Sequence, residues 1–405
     1  MEGWVTKSIS DVISKTKTID PRKSPEKEFM YVDVSGVSNK TLEITENTKL
    51  LGKDAPSRAR RVITKGDILF ATVRPTLRRI AIVPSELDGE VCSTGYFVFQ
   101  PTSELYNRYL FYFLQSDSFM GEMEKLQKGA SYPAVNDSQV KSRLISYPSL
   151  PEQKRIVALL DTVFADLEQT RAKTEQNLKN ARELFDSYLQ QVFSQKGEGW
   201  KTLPLESFTN IVNGHAFKSG DFSPGNSVKS IKITNVGVYE FVEEVDNYLP
   251  KEHLEKHSKY KAYEGDIVVA LTRTIISTGL KVAVVPSSYD GSLINQRVAA
   301  VQVDKDIMST DILQAYLSTR MAIDYVKSNV NELMQPNLSI KDLKAFPIPV
   351  PPADKLNSVA KELSLIFEQK EKLVEVYNKK LNSIDELKKS ILQKAFNGEL
   401  TNAVA

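Results

Sequence analysis

Two hydrophobic patterns alternate along this chain, and each predicts a different kind of element. In the first, short runs rich in β-branched residues are bounded by Gly or Pro and alternate with a period of two, which is typical of strands. A segment with helical spacing follows the runs in each half, near 104–115 and near 310–327. The pattern predicts α+β globular domains at 1–150 and 197–350, with strands at 68–73, 79–83, 267–271 and 281–285.

The second pattern is longer and has the spacing of a coiled coil. From 152 to 193 the chain contains no Gly or Pro, and its apolar residues recur at steps of three and four. The same spacing returns from 359 to 391. Each stretch contains two successive steps of four, at 170–178 and at 373–381, which is a stutter in the heptad pattern. We predict one helix at 151–196 and another at 351–405, each about 40 residues and roughly 60 Å long, packed on each other or on equivalent partners.

Proline-rich junctions connect the domains to these helices. The first junction runs from 145 to 153 and the second from 346 to 352. Proline excludes helix immediately before it but is accepted in a first helical turn, so both junctions are expected to be stiff. Gly197 and Gly398 follow the two helices in positions typical of helix stops.

The two halves of the chain repeat each other. Lys-Gly-Asp-Ile-Leu-Phe-Ala at 65–71 returns as Glu-Gly-Asp-Ile-Val-Val-Ala at 264–270, which is 199 residues later (264 − 65). Ser-Tyr-Leu-Gln-Gln-Val-Phe at 187–193 returns as Ser-Ile-Leu-Gln-Lys-Ala-Phe at 390–396, which is 203 residues later (390 − 187). Solenoid repeats have periods of about 20–50 residues, so this duplication instead indicates two similar domains. We expect a pseudo-twofold arrangement, which suits the reading of a two-part target.

Composition narrows the class of protein only slightly. The 405 residues are 41% hydrophobic and 26% charged, as in ordinary globular proteins, and the single cysteine excludes a disulfide framework and a cysteine-based metal site. We find no apolar signal segment in the first 20 residues and no apolar run of about 18 residues, so we expect a cytoplasmic protein. The net charge of +2 does not favour nucleic acid by itself. A solvated surface is the simpler interpretation of the arginine-rich stretch, but its clustering modestly favours an anion-binding patch: Arg58, Arg60, Arg61, Arg74, Arg78 and Arg79.

The sequence offers no recognisable catalytic site. It has neither a phosphate-binding P-loop nor a Gly-x-Gly-x-x-Gly motif after a strand, and it lacks the Asn-Pro-Pro-aromatic motif of amino-methyltransferases. His215, His253 and His257 do not have the spacing of a familiar zinc site. Asp67 and Asp266 each follow Gly before a strand, where a turn role is the better interpretation. Two elaborate domains without catalytic groups indicate binding rather than turnover.

The chain resembles the specificity subunits of type I restriction–modification systems over essentially its whole length. The second half departs in two places, because 349–355 lacks the Glu-Gln pair and Thr274 stands in the position of Pro75. The residues that carry the resemblance are Lys-Gly-Asp-Ile-Leu at 65–69, Arg74-Pro75, Tyr132-Pro133, Pro-Ser-Leu-Pro-Glu-Gln-Lys-Arg-Ile at 148–156, and their counterparts in the second half.

The resemblance implies a fold and a set of partners. The fold would be two tandem target-recognition domains, held in opposite orientations by two long antiparallel coiled-coil helices. Each domain would read one half of a bipartite, asymmetric site on double-stranded DNA. A rigid helical spacer would fix the distance between the two readers, and half-sites about one turn, roughly 34 Å, apart lie on one face of the duplex. The helices would recruit two methyltransferase subunits, which bind S-adenosylmethionine and methylate adenine. Restriction subunits that use ATP and Mg²⁺ would join them, and this chain would be non-catalytic and carry no cofactor.

Candidate DNA-binding residues come from positions that either repeat or differ between the halves. Arg74 and Arg273 are 199 residues apart, each follows a predicted strand, and each either contacts phosphate or braces its loop. Base readers are expected where the halves differ, because the two half-sites should differ. Asn and Gln can pair with adenine, and Arg can pair with guanine, in the major groove. The candidates are Arg78, Arg79, Tyr132 and Asn136 in the first half, and Lys232, Thr272, Gln335 and Asn337 in the second.

Apolar residues beyond the coiled-coil seam suggest a second interface. They either pack on the sister helix and adjacent domains or, as we prefer, contact partner helices that complete a bundle. These residues are Leu159, Phe164, Leu184 and Leu189. Two other functions stay open: a specificity chain of a related type IIB-like system, and a non-DNA scaffold, which would show no salt-dependent affinity for DNA. The target sequence and spacer length do not follow from the sequence.

Overall fold

The structure is a computed structural model that describes residues 3–195, 197–244, 248–277, 279–329 and 337–400. The chain divides into two compact units. Unit 1 comprises Met1–Thr174 and Lys379–Ala405, and unit 2 comprises Glu175–Asn378. Each long helix therefore contributes one part of its length to each unit.

Unit 1 is a mixed domain with two main sheets. A three-stranded antiparallel sheet has the order β6-β5-β8, and a four-stranded sheet has the order β3-β2-β7-β4, in which β2 and β7 are parallel. A separate pair, β1 with β9, joins the start of the chain to the segment before the long helix. The elements are β1 Val5–Ser8, β2 Glu28–Val32, β3 Thr48–Leu51, β4 Ala59–Val62, β5 Ile68–Ala71, β6 Ile80–Ile82, β7 Val91–Ser93, β8 Tyr96–Phe99, α1 Asn107–Gln115, α2 Asp117–Leu126, α3 Asp137–Lys141, β9 Leu144–Tyr147 and α4 Leu150–Ser194.

Unit 2 repeats this plan with small changes. Its sheets have the orders β11-β20-β15-β18 and β13-β12-β19-β14, and β10 pairs with β21 as β1 pairs with β9. The elements are β10 Lys201–Pro204, β11 Thr209–Asn213, β12 Val228–Ile231, β13 Tyr248–Leu249, α5 His253–Lys256, β14 Lys261–Ala262, β15 Ile267–Ala270, β16 Ile275–Ile276, β17 Gly279–Leu280, β18 Val282–Val284, β19 Ser292–Ile294, β20 Val298–Val303, α6 Thr310–Leu317, α7 Arg320–Asn329, α8 Ile340–Lys344, β21 Pro347–Val350 and α9 Leu356–Phe396.

The repeated strands β5 and β15 are covered on both faces. In β5, Ile68 and Phe70 belong to the core shared with the helices, whereas Leu69 and Ala71 belong to the core under the second sheet. Strand β15 divides its four residues in the same way. Successive side chains of a strand point to opposite faces, so a strand buried on both sides has an unbroken apolar sequence. This explains why the Gly-Asp-apolar motif is the clearest part of the repeat.

The turn before each of these strands is held by its aspartate. The carboxylate of Asp67 accepts hydrogen bonds from the Thr64 backbone N–H at 2.8 Å and from the Gln100 amide at 2.9 Å. Asp266 is held in the same way by Tyr263 and Gln302. Burial raises the pKa of both carboxyl groups. The turn role predicted for the two aspartates is thus what the structure shows.

The long helices run antiparallel within each unit. In unit 1 the Lys388 ammonium lies 5.1 Å from the Phe164 ring centroid and 3.2 Å from the Glu168 carboxylate, and Arg171 pairs with Asp385. Residue numbers therefore rise along α4 as they fall along α9. In unit 2 the same direction follows from Phe185 on Phe367, with ring centroids 4.8 Å apart, and from the hydrogen bond of Tyr188 to Glu362. The predicted antiparallel pairing is confirmed.

The two junctions differ as their sequences do. Helix α4 begins directly at Leu150, whereas a 3₁₀ turn at Ala353–Lys355 precedes α9. The first junction is fixed by Gln153, whose fully buried amide bonds three backbone groups of unit 1.

The helical segment expected at 310–327 is two helices rather than one. Helix α6 ends at Leu317 and α7 begins at Arg320. The Thr319 hydroxyl accepts a hydrogen bond from the Ala322 N–H at 3.3 Å, which caps the second helix.

Candidate nucleic-acid interface

An exposed arginine from the loop after β5 meets an exposed tyrosine from the loop before α3. The Arg74 backbone has a left-handed conformation, with φ of 50°, and its N–H donates to the Pro133 carbonyl at 2.6 Å. The guanidinium donates to the Ser131 carbonyl at 3.0 Å and lies 4.7 Å from the Tyr132 ring centroid. Tyr132 is 70% exposed. Arg74 is therefore both braced and exposed, so the two roles considered for it are compatible.

Backbone hydrogen bonds bring four segments of unit 1 to this place. The Thr72 N–H donates to the Gly95 carbonyl at 2.9 Å, the Val135 N–H donates to the Thr72 carbonyl at 3.0 Å, and the Thr94 N–H donates to the Arg58 carbonyl at 2.8 Å. We call this place the first loop edge. It comprises Arg58, Thr72–Arg74, Thr94–Gly95 and Ser131–Val135, and its exposed residues are Arg58, Arg74, Thr94, Ser131 and Tyr132.

Three other candidates of the first half are engaged inside unit 1. The Arg78 guanidinium donates to the Asp117 carboxylate at 2.7 Å, and that of Arg79 donates to the Ser35 and Val37 carbonyls, both at 2.9 Å. These bonds make the two arginines part of the fold, a structural role that the arginine cluster did not indicate. Their base-reading role stays a prediction.

Asn136 has a structural role of the same kind. Its carbonyl oxygen accepts from the Gln139 N–H at 2.9 Å, and the Gln139 side chain accepts from the Asn136 N–H at 2.8 Å. This reciprocal pair is a capping box at the start of α3. Base reading by Asn136 also stays a prediction.

Unit 2 forms a second loop edge of the same construction. The Leu271 N–H donates to the Arg297 carbonyl at 2.8 Å, and the Leu338 N–H donates to the Leu271 carbonyl at 2.9 Å. A β-bridge joins Thr272 to Asn337, as one joins Val73 to Ala134 in unit 1. We define the second loop edge as Leu271–Arg273, Gln296–Arg297 and Asn337–Leu338; its exposed polar side chains are Arg273, Gln296, Arg297 and Asn337.

The remaining candidates of the second half have mixed outcomes. Thr272 is half-buried, and Lys232 places its ammonium 3.8 Å from the Phe222 ring centroid. Gln335 lies outside the described residues. The place of Arg79 is taken by Lys281, whose ammonium donates to the Ile233 carbonyl at 2.9 Å.

One residue of this surface, Arg297, was missed by the sequence interpretation. Arg58, which the sequence placed in the arginine-rich stretch but not among the base readers, and Arg297 are exposed on the two loop edges, but they do not align with each other in the repeat. Arg297 belongs to the turn between β19 and β20, where the first half has Thr94 and Gly95. The two turns correspond because each accepts a hydrogen bond from the segment that follows the central strand, and the sequence does not show that pairing.

The three histidines stack with aromatic rings instead of converging on a metal. His257 lies between His215 and His253, with ring centroids 4.4 and 5.2 Å away, and Phe217 packs edge-on to it at 5.3 Å. The parts of the chain that the structure describes contain no group of three or more His, Cys, Asp or Glu placed to hold a metal. Burial, together with the neighbouring histidines and lysines, lowers the pKa of His257.

The four apolar helix candidates fall into two pairs. Phe164 is buried against Tyr112, with ring centroids 5.5 Å apart, and Leu189 is fully buried in the core of unit 2. Both side chains are therefore used within the chain. Leu159 is 38% exposed and Leu184 is 74% exposed. Leu184 lines an apolar groove of about 490 Å³ in unit 2, together with Phe185, Leu373 and Tyr377.

The comparisons with known proteins agree over nearly the whole length of the chain. Residues 1–178 and 197–386 match the model of the type I restriction modification DNA specificity domain. The chain belongs to this family. Two copies of the domain in tandem correspond to the two halves of the repeat. The resemblance stated from the sequence motifs is thereby confirmed, and so is a DNA-specificity subunit as the class of protein.

Individual relatives in this family match at low identity but nearly full length. The chain is 25% identical to the type I restriction enzyme MjaVIII specificity subunit of Methanocaldococcus jannaschii, over 98% of this chain and 93% of the relative. It is 21% identical to the EcoKI specificity subunit of Escherichia coli K12, over 99% and 90%. These relatives are specificity subunits, so the family member described here is a recognition chain and not the catalytic one.

Solved structures of this family show the same fold. A chain from a structure that concerns complex assembly and conformational transition of the type I R-M system matches with a TM-score of 0.84 and 27% identity, covering 98% of both chains. The HsdS subunit from Thermoanaerobacter tengcongensis matches with a TM-score of 0.62 and 27% identity, covering 98% of this chain and 97% of that one. No helix among the described residues is long and apolar enough to cross a membrane.

Proposed function

We propose that this specificity subunit reads a bipartite, asymmetric site on double-stranded DNA, with each unit contacting one half. The observation that carries the proposal is the pair of loop edges. Each unit brings an exposed arginine in a left-handed conformation, Arg74 or Arg273, to the end of its central buried strand. Around these two arginines the exposed side chains differ, so the two half-sites differ as well.

In this proposal Arg74 and Arg273 anchor the phosphate backbone. An exposed arginine in a loop suits phosphate, because a phosphate contact positions the protein without specifying sequence. Base reading belongs to the groups that differ between the edges. Tyr132 at the first edge and Asn337 at the second are exposed for that role. Thr272, Lys232 and Gln335 stay candidates on sequence grounds, as do Arg78, Arg79 and Asn136.

The same proposal assigns the long helices to partner subunits. Two methyltransferase subunits would bind S-adenosylmethionine and methylate adenine, and restriction subunits would supply the chemistry that uses ATP and Mg²⁺. Leu159 and the groove at Leu184 are exposed apolar surface on the helices and support a helical contact there. This chain would need no cofactor of its own. Because its DNA and partners are cytoplasmic under this proposal, so is the chain.

Modified-base sequencing tests the proposal directly. A genome that carries this chain with its neighbouring methyltransferase is compared with one in which this chain alone is deleted. We expect a split adenine-methylated motif with two different halves, and we expect it to disappear in the deletion. An unchanged methylome from an expressed, assembled complex would overturn the proposal.

Salt-dependent binding separates the remaining classes. The reconstituted complex should bind its motif with an affinity that falls steeply as salt rises, because phosphate contacts release counterions. A protein scaffold would show no such dependence. Cleavage on both sides of the motif by a partner that carries both nuclease and methylase motifs would assign the type IIB-like class instead.

A further inference from the structure

The turn between β19 and β20 carries an arginine in an unusual conformation. Arg297 has φ of 72°, in the left-handed region that glycine adopts easily and residues with a Cβ adopt rarely. The turn is held on both sides, because the Gln296 N–H donates to the His215 carbonyl at 2.8 Å and the Arg297 carbonyl accepts from the Leu271 N–H at 2.8 Å. The arginine is therefore presented by a fixed turn.

The corresponding turn of unit 1 is built differently. Gly95 holds the equivalent position, because its carbonyl accepts from the Thr72 N–H as that of Arg297 accepts from Leu271. A Cβ on Gly95 would lie 2.3 Å from Val34 Cγ2, so a side chain would fit there only if Val34 moved. The fold thus does not require an arginine at this position. Unit 2 has one where a smaller residue would be less strained.

Among the described residues of unit 2, no side-chain contact explains Arg297 as a structural brace. Arg297 is exposed, and its side chain makes no ion pair or hydrogen bond with the residues that the structure describes. Arg78 and Arg79, by contrast, both bond groups of their own domain. Arg297 also lies near Arg273 in space. Its carbonyl accepts a hydrogen bond from the N–H of Leu271, which is two residues before Arg273 in the chain. It completes the exposed polar surface of the second loop edge.

We propose that Arg297 is a specificity-determining residue of unit 2 and reads a guanine in its half-site. A guanidinium fork pairs with the O6 and N7 atoms of guanine, and a fixed turn limits the positions that the fork can reach. This inference rests on the proposed function. It adds that the two half-sites are read by different parts of the fold, because unit 1 has no side chain at this position.

Three variants in the assembled methyltransferase complex test the inference. Arg297→Gly removes the side chain and suits the left-handed backbone, so folding is retained. Arg297→Lys keeps the charge but loses the fork. Lys305→Ala is the matched control, because it removes one exposed charge at the opposite end of β20, roughly 20 Å away along six residues.

The readouts are the methylated motif and the affinity for DNA probes with one base pair changed at a time. We expect Arg297→Gly and Arg297→Lys to relax one G·C position in one half-site, with about a 5- to 150-fold loss of discrimination there. Lys305→Ala should keep the wild-type motif. A thermal unfolding curve of Arg297→Gly that matches wild type excludes misfolding as the cause.

Two outcomes would overturn the inference while leaving the proposed function standing. One is a wild-type motif in the Arg297→Gly complex. The other is an equal loss of affinity for all probes, which would make Arg297 a phosphate contact. If the wild-type complex itself yields no bipartite motif, the proposed function fails first, so the two failures are distinguishable.

Discussion

Gln153 connects the first recognition domain to its long helix through three hydrogen bonds. Its side chain is fully buried in the first turns of α4. The amide nitrogen donates to the Glu104 carbonyl at 2.9 Å and to the Pro148 carbonyl at 3.0 Å, and the amide oxygen accepts from the Tyr106 N–H at 2.8 Å. The glutamine of the junction motif therefore has a structural reason, because it satisfies three backbone groups where the domain meets the helix.

Replacing this residue by leucine keeps its approximate volume and removes all three bonds. A hydrogen bond between neutral groups contributes about 1 kcal/mol net, so three bonds give a loss of about 3 kcal/mol in the free energy of unfolding of unit 1. The N–H of the half-buried Tyr106 also loses its acceptor, and this loss is part of the estimate. The matched control is Gln169→Ala, at an exposed glutamine on the same helix in the same unit. It should change stability by no more than about 0.5 kcal/mol.

The chain's two tryptophans make the assay specific to one unit. Trp4 packs against the core of unit 1 and Trp200 against the core of unit 2. Urea unfolding of the full chain in a Trp200→Phe background reports unit 1 through Trp4 fluorescence. We expect Gln153→Leu to lower the midpoint and Gln169→Ala to leave it in place. A loss below about 1 kcal/mol for Gln153→Leu would refute the reasoning, because the three hydrogen bonds together would then contribute less than one typical bond.

Three further predictions concern the cores, the loop edges and the histidines. Phe396→Ala should destabilise unit 1, and Phe193→Ala should destabilise unit 2, each by about 3–5 kcal/mol as seen by the tryptophan of that unit, because each ring fills an aromatic cluster at a helix end. If both variants affect the same unit, the division is wrong. Arg74→Ala should weaken binding to all DNA sequences and lower the salt slope by about one, whereas Arg79→Ala should lower the midpoint of urea unfolding because its carbonyl partners lose their donor. An effect of Arg74→Ala at a single base position would instead make it a base reader. Burial lowers the pKa of His257 in the folded chain below its ordinary value of 6.5, so the unfolded chain binds a proton there more readily. The stability of unit 2 that depends on a neutral His257 is therefore fully present above about pH 6.5 and is lost as the pH falls through the folded pKa. The midpoint of unfolding of unit 2 should fall as the pH is lowered from 7.5 to 5, about the range in which a histidine titrates. The fall should be smaller in His257→Gln, and an equal fall in both proteins would contradict the prediction.

Local sequence predicted the parts of the fold in which neighbouring residues decide the outcome. The β-branched runs bounded by Gly or Pro indicated the strands β5 and β15. The alternation with a period of two that was expected in them is absent, because both faces of each strand are covered. The long Gly-free and Pro-free segments indicated α4 and α9 because a coiled-coil seam repeats along one helix. The family motifs at the junction and the strand turn were also local, and the class of protein followed from them.

The role of individual exposed-looking residues was less predictable. Phe164 and Leu189 were assigned to partner helices, but periodicity shows only that a helix face is covered and not which surface covers it. Arg78 and Arg79 are polar residues in a loop, and their carbonyl and carboxylate partners lie more than 35 residues away in the chain. A sequence pattern does not contain contacts over that separation.

The sequence by itself thus determined a duplicated α+β chain with two long helices and a family of DNA-specificity subunits, because those features depend on residues close together in the chain. The tertiary structure decided which residues form the loop edges. Arg79 and Lys281 perform the same bracing role although the offset between them is 202 residues (281 − 79) and not the 199 of the preceding strand. Arg297 lies on the second loop edge because the pairing of the strands places its turn beside Leu271. Loops that differ in length lose their alignment in sequence, while hydrogen bonds between strands keep them in register in space.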